Sequence, residues 1–227
     1  TECIVIWYVD GSGRAVSVPN GRYDPVSKTV TFTTTHFSDF AVIYYPVSFN
    51  DVAPDAWYRQ AVGFIASRQI TSGTGNGNYS PNAIITRGEF ITLLMRAYEI
   101  APDKNPADNF TDAGNTYYTG YLAAARRLGI SYGTGNNMFS PNKEITRQEM
   151  FTMLYNALKA INKLPQGSSG KTLDVFTDTN EINSWAKESF TLLVETGTVV
   201  GNDGKLTPNG KATRAQIAQI LYSLLAK

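Results

Sequence analysis

Three arginines, one in each of three similar motifs, are the residues of this chain best placed to bind an anion. They are Arg87 in ITRGEF, Arg147 in ITRQEM and Arg214 in ATRAQI. Thr followed three residues later by Glu or Gln, ahead of an apolar run, is typical of a helix capping box. The arginine then falls on the first helical residue, where the helix dipole disfavours a cation. Because free helix N–H groups beside a guanidinium suit carboxylate or phosphate, the pattern predicts a bound anion.

An aspartate recurs as well, in the Phe-x-Asp signal that opens each copy at Asp51, Asp112 and Asp178. The alternative interpretation of the arginines is that they pair internally with these carboxylates. A structural aspartate and a ligand-binding arginine are compatible, so the sequence leaves both interpretations open.

A Gly-rich loop precedes each arginine motif, as SGTGNGNYSPN at 72–82, YGTGNNMFSPN at 132–142 and VGNDGKLTPN at 200–209. Glycine permits tight turns with positive φ, and it also lets a ligand approach backbone amides. The loops lack the Walker lysine of nucleotide-binding phosphate loops. The stretch GNDGK at 201–205 lacks the alternating Asp and closing Glu of a calcium loop. We therefore expect neither a cofactor nor a metal.

Aromatic residues start the first helix predicted in each copy, at Trp57, Tyr117, Tyr118 and Trp185. Such rings pack in a core or form a platform on which a pyranose stacks. Periodicity does not choose between these roles.

The chain repeats itself after residue 46, where the apolar period changes from two to about 3.6. The spacing is 61 residues from Asp51 to Asp112 and 66 from Asp112 to Asp178. We predict a mainly α chain of three helix–loop–helix repeats at 47–107, 108–170 and 171–227. One helix pair cannot bury its apolar face alone, so the repeats should pack on each other.

Residues 1–46 have the pattern of β-strands. Apolar or Thr-rich runs at 4–9, 15–18, 29–35 and 40–45 predict four short strands. No signal peptide is recognisable, and the chain starts inside a strand-like run. We expect a fragment of a longer protein, with this segment either ending an upstream β domain or forming an appendage.

Composition excludes several functional classes. The 20 Lys and Arg nearly balance the 19 Asp and Glu, which argues against nucleic acid as a partner. No apolar stretch reaches the length of a bilayer span. Cys3 and His36 are the single residues of their types, which leaves little for nucleophilic catalysis. Glu89 and Glu149 are the recurrent carboxylates, but capping explains them better than glycoside hydrolysis. We expect no enzyme activity in this chain.

Phe-x-Asp, the aromatic pair, the Gly-x-Gly loop ending in Ser-Pro-Asn, and Ile-Thr-Arg-x-Glu together resemble the S-layer homology (SLH) family over about residues 47–227. The resemblance implies a pseudo-threefold, trimer-like bundle of three repeats with grooves between them, preceded by the small β segment. It also implies a non-covalent anchor of a bacterial surface protein, bound to secondary cell-wall polysaccharide of the pyruvylated N-acetylmannosamine type. The same resemblance implies that this polysaccharide is linked to peptidoglycan.

The resemblance further implies ligand-binding residues in every repeat. They are Arg87, Arg147, Arg214, Asp51, Asp112, Asp178, Trp57, Tyr118, Trp185, Gly73, Gly75, Gly133, Gly135 and Gly201. The arginines should face the pyruvyl carboxylate. The third repeat departs most, with Gln216 for Glu and Leu206-Thr207 for the aromatic–Ser pair, which puts its groove in doubt.

We therefore expect an extracellular, monomeric module at the bacterial cell wall or S-layer. Two alternatives stay open. The chain could be a structural protein–protein or S-layer assembly module, or the anchor of a glycan-active enzyme whose catalytic domain lies outside it.

Overall fold

The computed structural model describes residues 2–226, and these begin with a five-stranded β segment. The strands are β1 Ile4–Val9, β2 Ala15–Val18, β3 Arg22–Asp24, β4 Thr29–Thr31 and β5 Phe40–Tyr44. β1 lies between β2 and β5 with antiparallel pairing on both sides, while β3 and β4 form a separate hairpin. The predicted strands are confirmed, although β4 is shorter than expected. β3 was missed.

Six α-helices follow, two in each repeat. They are α1 Arg59–Ser67, α2 Arg87–Ala97, α3 Thr119–Arg127, α4 Arg147–Ala160, α5 Lys187–Glu195 and α6 Arg214–Leu225. Short 3-10 turns at Leu173–Val175, Thr179–Glu181 and Ser184–Ala186 lead into α5. The second helix of each repeat begins at the motif arginine, as the capping box predicts.

The described residues divide into two compact units. One comprises 2–83, 96–99 and 213–226. Its helices α1 and α6, from the first and third repeats, pack together, and Phe64 meets Tyr222 edge to face at 5.1 Å. Arg68 joins the β segment to α1 in this unit, because its guanidinium donates to the carbonyl oxygens of Glu2 at 2.7 Å and Gly21 at 2.9 Å.

The other unit comprises 84–95 and 100–212. Its helices α4 and α5, from the second and third repeats, pack together through an edge-to-face contact of Phe151 with Phe190 at 5.1 Å. In both units a helix buries its apolar face against a helix of another repeat, so the prediction that the repeats pack on each other is confirmed.

Among residues 2–226, no helix has both the length and the apolarity that a membrane crossing requires.

Candidate functional site

Capping boxes fix the start of each second helix. Glu149 N–H donates to Thr146 Oγ1 at 3.3 Å, and Thr146 N–H donates to Glu149 Oε2 at 2.8 Å. Thr86 with Glu89 makes the same reciprocal pair, as does Thr213 with Gln216. The predicted caps are confirmed, and they place each arginine on the first helical residue.

Each motif arginine reaches into the Gly-rich loop of a different repeat. Arg87 donates from Nε to the carbonyl of Phe139 at 2.8 Å, and Arg147 donates to Leu206 at 2.9 Å. Arg214 donates to Tyr79 at 2.8 Å. The arginine of the first repeat thus binds the loop of the second, the second binds the third, and the third binds the first.

Backbone hydrogen bonds reinforce the same three contacts. The amide N–H of each arginine donates to the carbonyl of a residue two positions beyond the Ser-Pro or Thr-Pro pair of the contacted loop. The acceptors are Lys143 for Arg87, Gly210 for Arg147 and Ala83 for Arg214. Lys143, Gly210 and Ala83 therefore occupy equivalent positions.

Arg87 is almost fully buried, with 2% of its surface exposed. Its Nη1 lies 3.1 Å from Glu149 Oε1, and its guanidinium lies over the Phe139 ring at 4.6 Å. Desolvation lowers the pKa of Arg87, and the Glu149 carboxylate partly offsets that effect. Burial acts to raise the pKa of Glu149, but hydrogen bonds from Thr146 and the charge of Arg87 bring it below its ordinary value.

Arg147 has different surroundings. It makes no ion pair with any residue in 2–226, and its guanidinium lies 5.1 Å from the ring of Phe151, in its own helix. Leu206 stands in the third loop where the other loops carry Tyr79 and Phe139, so the loop offers no aromatic face. Desolvation lowers the pKa of Arg147, and the charge of Asp178 partly offsets this.

The three aspartates bind backbone amides of the loop in their own repeat. Asp51 accepts hydrogen bonds from the N–H of Tyr79 at 2.8 Å and of Ser80 at 2.7 Å. Asp112 binds Phe139 and Ser140 in the same way, and Asp178 binds Leu206 and Thr207. Burial acts to raise the pKa of Asp51, but these two donors hold it below its ordinary value.

The second amide of each pair belongs to a residue with left-handed backbone. The φ angles are 58° at Ser80, 59° at Ser140 and 49° at Thr207. This conformation is uncommon for residues with a side chain, and it costs about 1–2 kcal/mol. The aspartate bonds therefore hold the loop in a strained shape that the chain would not adopt alone.

The predicted loop glycines share a left-handed backbone, and Gly73, Gly133 and Gly201 also have close neighbours. Gly73, Gly75, Gly133, Gly135 and Gly201 all have positive φ. At Gly133 a Cβ would also lie 2.2 Å from the Met138 carbonyl oxygen and 2.8 Å from the Phe110 ring. The phenylalanine of the Phe-x-Asp signal thus packs directly on the glycine backbone.

The aromatic residues before the first helices differ in exposure. Trp57 is 63% exposed and Trp185 52% exposed, whereas Tyr118 is 8% exposed. Tyr118 is the N-cap residue of α3, equivalent to Tyr58 before α1. The position equivalent to Trp57 is held by Tyr117, which is 59% exposed. Two adjacent tyrosines made this distinction impossible from spacing alone.

A cavity of about 620 Å³ collects three of the predicted residues, one from each repeat. The buried Arg87, the loop residue Gly133 and the exposed indole of Trp185 all line it. Sequence reasoning did not single out Tyr132 and Lys143, which also line it. The sequence did contain a signal for Lys143, because it is charged whereas the residues at the equivalent positions of the other repeats, Ala83 and Gly210, are not.

Trp57 lines a second cavity, of about 550 Å³, in the unit that contains α1 and α6. Tyr44 of the β segment and Arg59 of α1 also line it.

Three regions of the chain match the family model described as S-layer homology domain, at residues 48–91, 109–151 and 175–218. Each region contains one Phe-x-Asp signal, one Gly-rich loop and one arginine motif.

Enzymes and S-layer proteins are both among the similar proteins. An amylopullulanase of Thermoanaerobacterium thermosulfurigenes is 32% identical over 99% of this chain and 12% of its own length. Exoglucanase XynX of Acetivibrio thermocellus is 33% identical over 80% of this chain and 16% of its own length. The S-layer protein sap of Bacillus anthracis is 30% identical over 77% and 21%. The chain therefore spans about a fifth or less of each of these relatives.

The three matches to one family model cover more than half of the chain, and the capped arginine motif and the loop that it contacts recur in each of them. The chain belongs to the S-layer homology domain family.

Proposed function

We propose that this chain is a non-enzymatic anchor that binds secondary cell-wall polysaccharide of the pyruvylated N-acetylmannosamine type. The observation that carries the proposal is the cavity of about 620 Å³ that is lined by Arg87, by Gly133 of a Gly-rich loop and by the exposed Trp185. A cation can bind the carboxylate of an acidic sugar, and an aromatic side chain can stack on its ring.

The family assignment supports the cell wall as the location. SLH domains anchor S-layer proteins and enzymes to the cell wall, and the chain is a cell-surface, cell-wall-associated module. The acidic polymer as partner, and its link to peptidoglycan, go beyond what the family match itself shows.

Charge and shape in the cavity fit an acidic sugar. Arg87, Lys143 and Glu149 together carry one net positive charge beside the cavity, which favours a carboxylate. The exposed indole of Trp185 offers an apolar face for the sugar ring. A charge-assisted contact contributes about 1.5–3 kcal/mol, and repeated epitopes on a polymer would add avidity if more than one groove binds.

The proposal extends to the corresponding residues of the other repeats. Arg147 and Arg214 would centre two further grooves, with Asp51, Asp112 and Asp178 holding the loops in shape. The cyclic order of the three arginine contacts supports a pseudo-threefold bundle of repeats in a monomeric chain. The boundaries at 47–107, 108–170 and 171–227 belong to the same proposal.

The names of two relatives favour a more specific role. An amylopullulanase and an exoglucanase resemble this chain over a small share of their own length. We infer that this chain anchors a longer protein, and that a glycan-active enzyme is one candidate. S-layer assembly is the other, since S-layer proteins share the same repeats.

The test is calorimetric binding of the chain to purified cell-wall polymer, with the pyruvyl group intact and after its removal. We expect binding to the intact polymer only, and a loss of about tenfold or more in affinity for Trp185→Ala. The control is Phe37→Ala, because Phe37 is a fully exposed aromatic of the β segment outside the cavity. Equal binding to both polymers, or to neither, would contradict the proposal.

A further inference from the structure

We propose that Lys143 is the cation that directly contacts the acidic group of the ligand in the cavity lined by Arg87, Gly133 and Trp185. Arg87 then acts as a positioning residue. This inference rests on the proposed function and assigns the contact within that site.

Arg87 is poorly available to a ligand. Only 2% of its surface is exposed, its Nε is bound to the Phe139 carbonyl at 2.8 Å, and its Nη1 faces Glu149 at 3.1 Å. The ring of Phe139 covers one face of the guanidinium. A ligand carboxylate that replaced Glu149 at Nη1 would have to displace a residue that also caps α4.

Glu149 is held firmly in that cap. Its Oε2 accepts hydrogen bonds from the Thr146 N–H at 2.8 Å and from the Thr146 hydroxyl at 2.9 Å. Only 15% of its side chain is exposed. Displacing it would break these bonds and leave a carboxylate partly buried without its partners, which is costly. The opposite charges of Arg87 and Glu149 therefore nearly cancel, so the pair attracts an incoming anion only weakly.

Lys143 supplies the remaining positive charge. Its side chain is 54% exposed, and its Nζ lies 3.6 Å from Glu149 Oε1, beyond hydrogen-bond distance. An ammonium has three donors on a flexible stem, so it can turn to a ligand carboxylate while still attracted by Glu149. The same cavity contains the exposed Trp185 wall, which places ring and charge contacts in one site.

Lys143 also distinguishes this groove from the others. The equivalent residues, identified by the carbonyls that accept from the arginine amides, are Ala83 and Gly210. Neither can contact an anion through a charged side chain. The groove with Lys143 should therefore depend on a lysine, whereas any binding beside Ala83 or Gly210 must rely on other groups.

The decisive experiment compares Lys143→Met with wild type by calorimetry, using the polymer with pyruvate intact and the polymer with pyruvate removed. Methionine keeps the length of the stem and removes the charge. We expect Lys143→Met to bind the intact polymer about tenfold more weakly than wild type does. On the pyruvate-free polymer, the variant and wild type should behave alike. Lys143→Arg should stay within about threefold of wild type. Lys163→Met is the matched control, because Lys163 is exposed and does not line the cavity.

The outcomes separate this inference from the proposed function. Wild-type affinity in Lys143→Met, with binding still dependent on pyruvate, would overturn the role of Lys143 and leave the anchor intact. Failure of wild type to bind either polymer would overturn both. Circular dichroism and the midpoint of urea unfolding show that the variant is folded, which we expect because half of the Lys143 side chain lies in solvent.

Discussion

The Glu149 carboxylate lies 3.1 Å from Nη1 of Arg87 while its other oxygen caps its own helix. One side chain thus fixes the start of α4 and neutralises the first residue of α2. Glu149→Gln should keep the cap, as Gln216 does in the third repeat, but remove the charge partner of a buried arginine. We expect a loss of about 1–3 kcal/mol in the free energy of unfolding, measured in urea. The control is Glu144→Gln, at the neighbouring exposed glutamate, which should change stability by less than about 0.5 kcal/mol.

The same carboxylate should make stability depend on pH. The folded-state pKa of Glu149 lies below its ordinary value of 4.5, so the unfolded chain binds more protons in that range. Its contribution is complete above about pH 4.5 and is lost as the pH falls through the lowered value. The stability difference between wild type and Glu149→Gln should therefore shrink between pH 7 and pH 3. A difference that stays constant over this range would show that the charge of Glu149 does not stabilise the fold.

Two glycines of one loop should respond very differently to alanine. Gly133 and Gly135 have φ of 82° and 104°, but a Cβ would meet neighbours only at Gly133. We expect Gly135→Ala to cost about 1–2 kcal/mol through backbone strain alone. Gly133→Ala should cost at least about 3 kcal/mol, because the Met138 carbonyl and the Phe110 ring must also move. Urea unfolding measures both, and equal costs would contradict the close approach at Gly133.

Thr207 offers a stabilising substitution. It is a β-branched residue at φ 49°, and its exposed side chain has no hydrogen bond within residues 2–226. Asparagine tolerates the left-handed region far better than threonine. Thr207→Asn should therefore raise the free energy of unfolding by about 0.5–1 kcal/mol. A decrease would mean that the threonine side chain makes a contribution that its contacts do not explain.

The sequence predicted the starts of α2, α4 and α6 accurately because capping is local. Thr146 and Glu149 are three residues apart, and both halves of their cap form within one turn. The repeats, the family and the cell-wall location followed from motifs, and each is confirmed. β3 at Arg22–Asp24 was missed because a run of three residues, two of them charged, is too short to establish an alternating pattern.

The site was less predictable, because its contacts join distant parts of the chain. The acceptor of Arg87, the Phe139 carbonyl, lies 52 residues away, and a backbone carbonyl leaves no mark in the sequence. Partners for the arginines could be named only as carboxylates, and Asp51, Asp112 and Asp178 were the candidates. The aspartate oxygens accept from loop amides, and the ion pair of Arg87 is made with a capping glutamate. The charge of each aspartate nevertheless acts on the arginine that binds the same loop.

We expect the attachment of the β segment to α1 to depend on Arg68. It is 3% exposed, and desolvation lowers its pKa to about 10. Arg68→Met would retain packing on Phe64 but remove the donors that bind the carbonyls of Glu2 and Gly21. We expect a loss of about 2–4 kcal/mol and faster proteolysis within residues 2–46. Arg59→Met, at an exposed arginine, is the control. Unchanged proteolysis would show that other contacts suffice.

The cyclic order of the arginine contacts also constrains how such a chain can evolve. Arg87, Arg147 and Arg214 each need a loop carbonyl from another copy, and the third finds it in the first. Deletion of one copy would remove a loop carbonyl to which the arginine of another copy donates. We therefore expect the three copies to be kept or lost together.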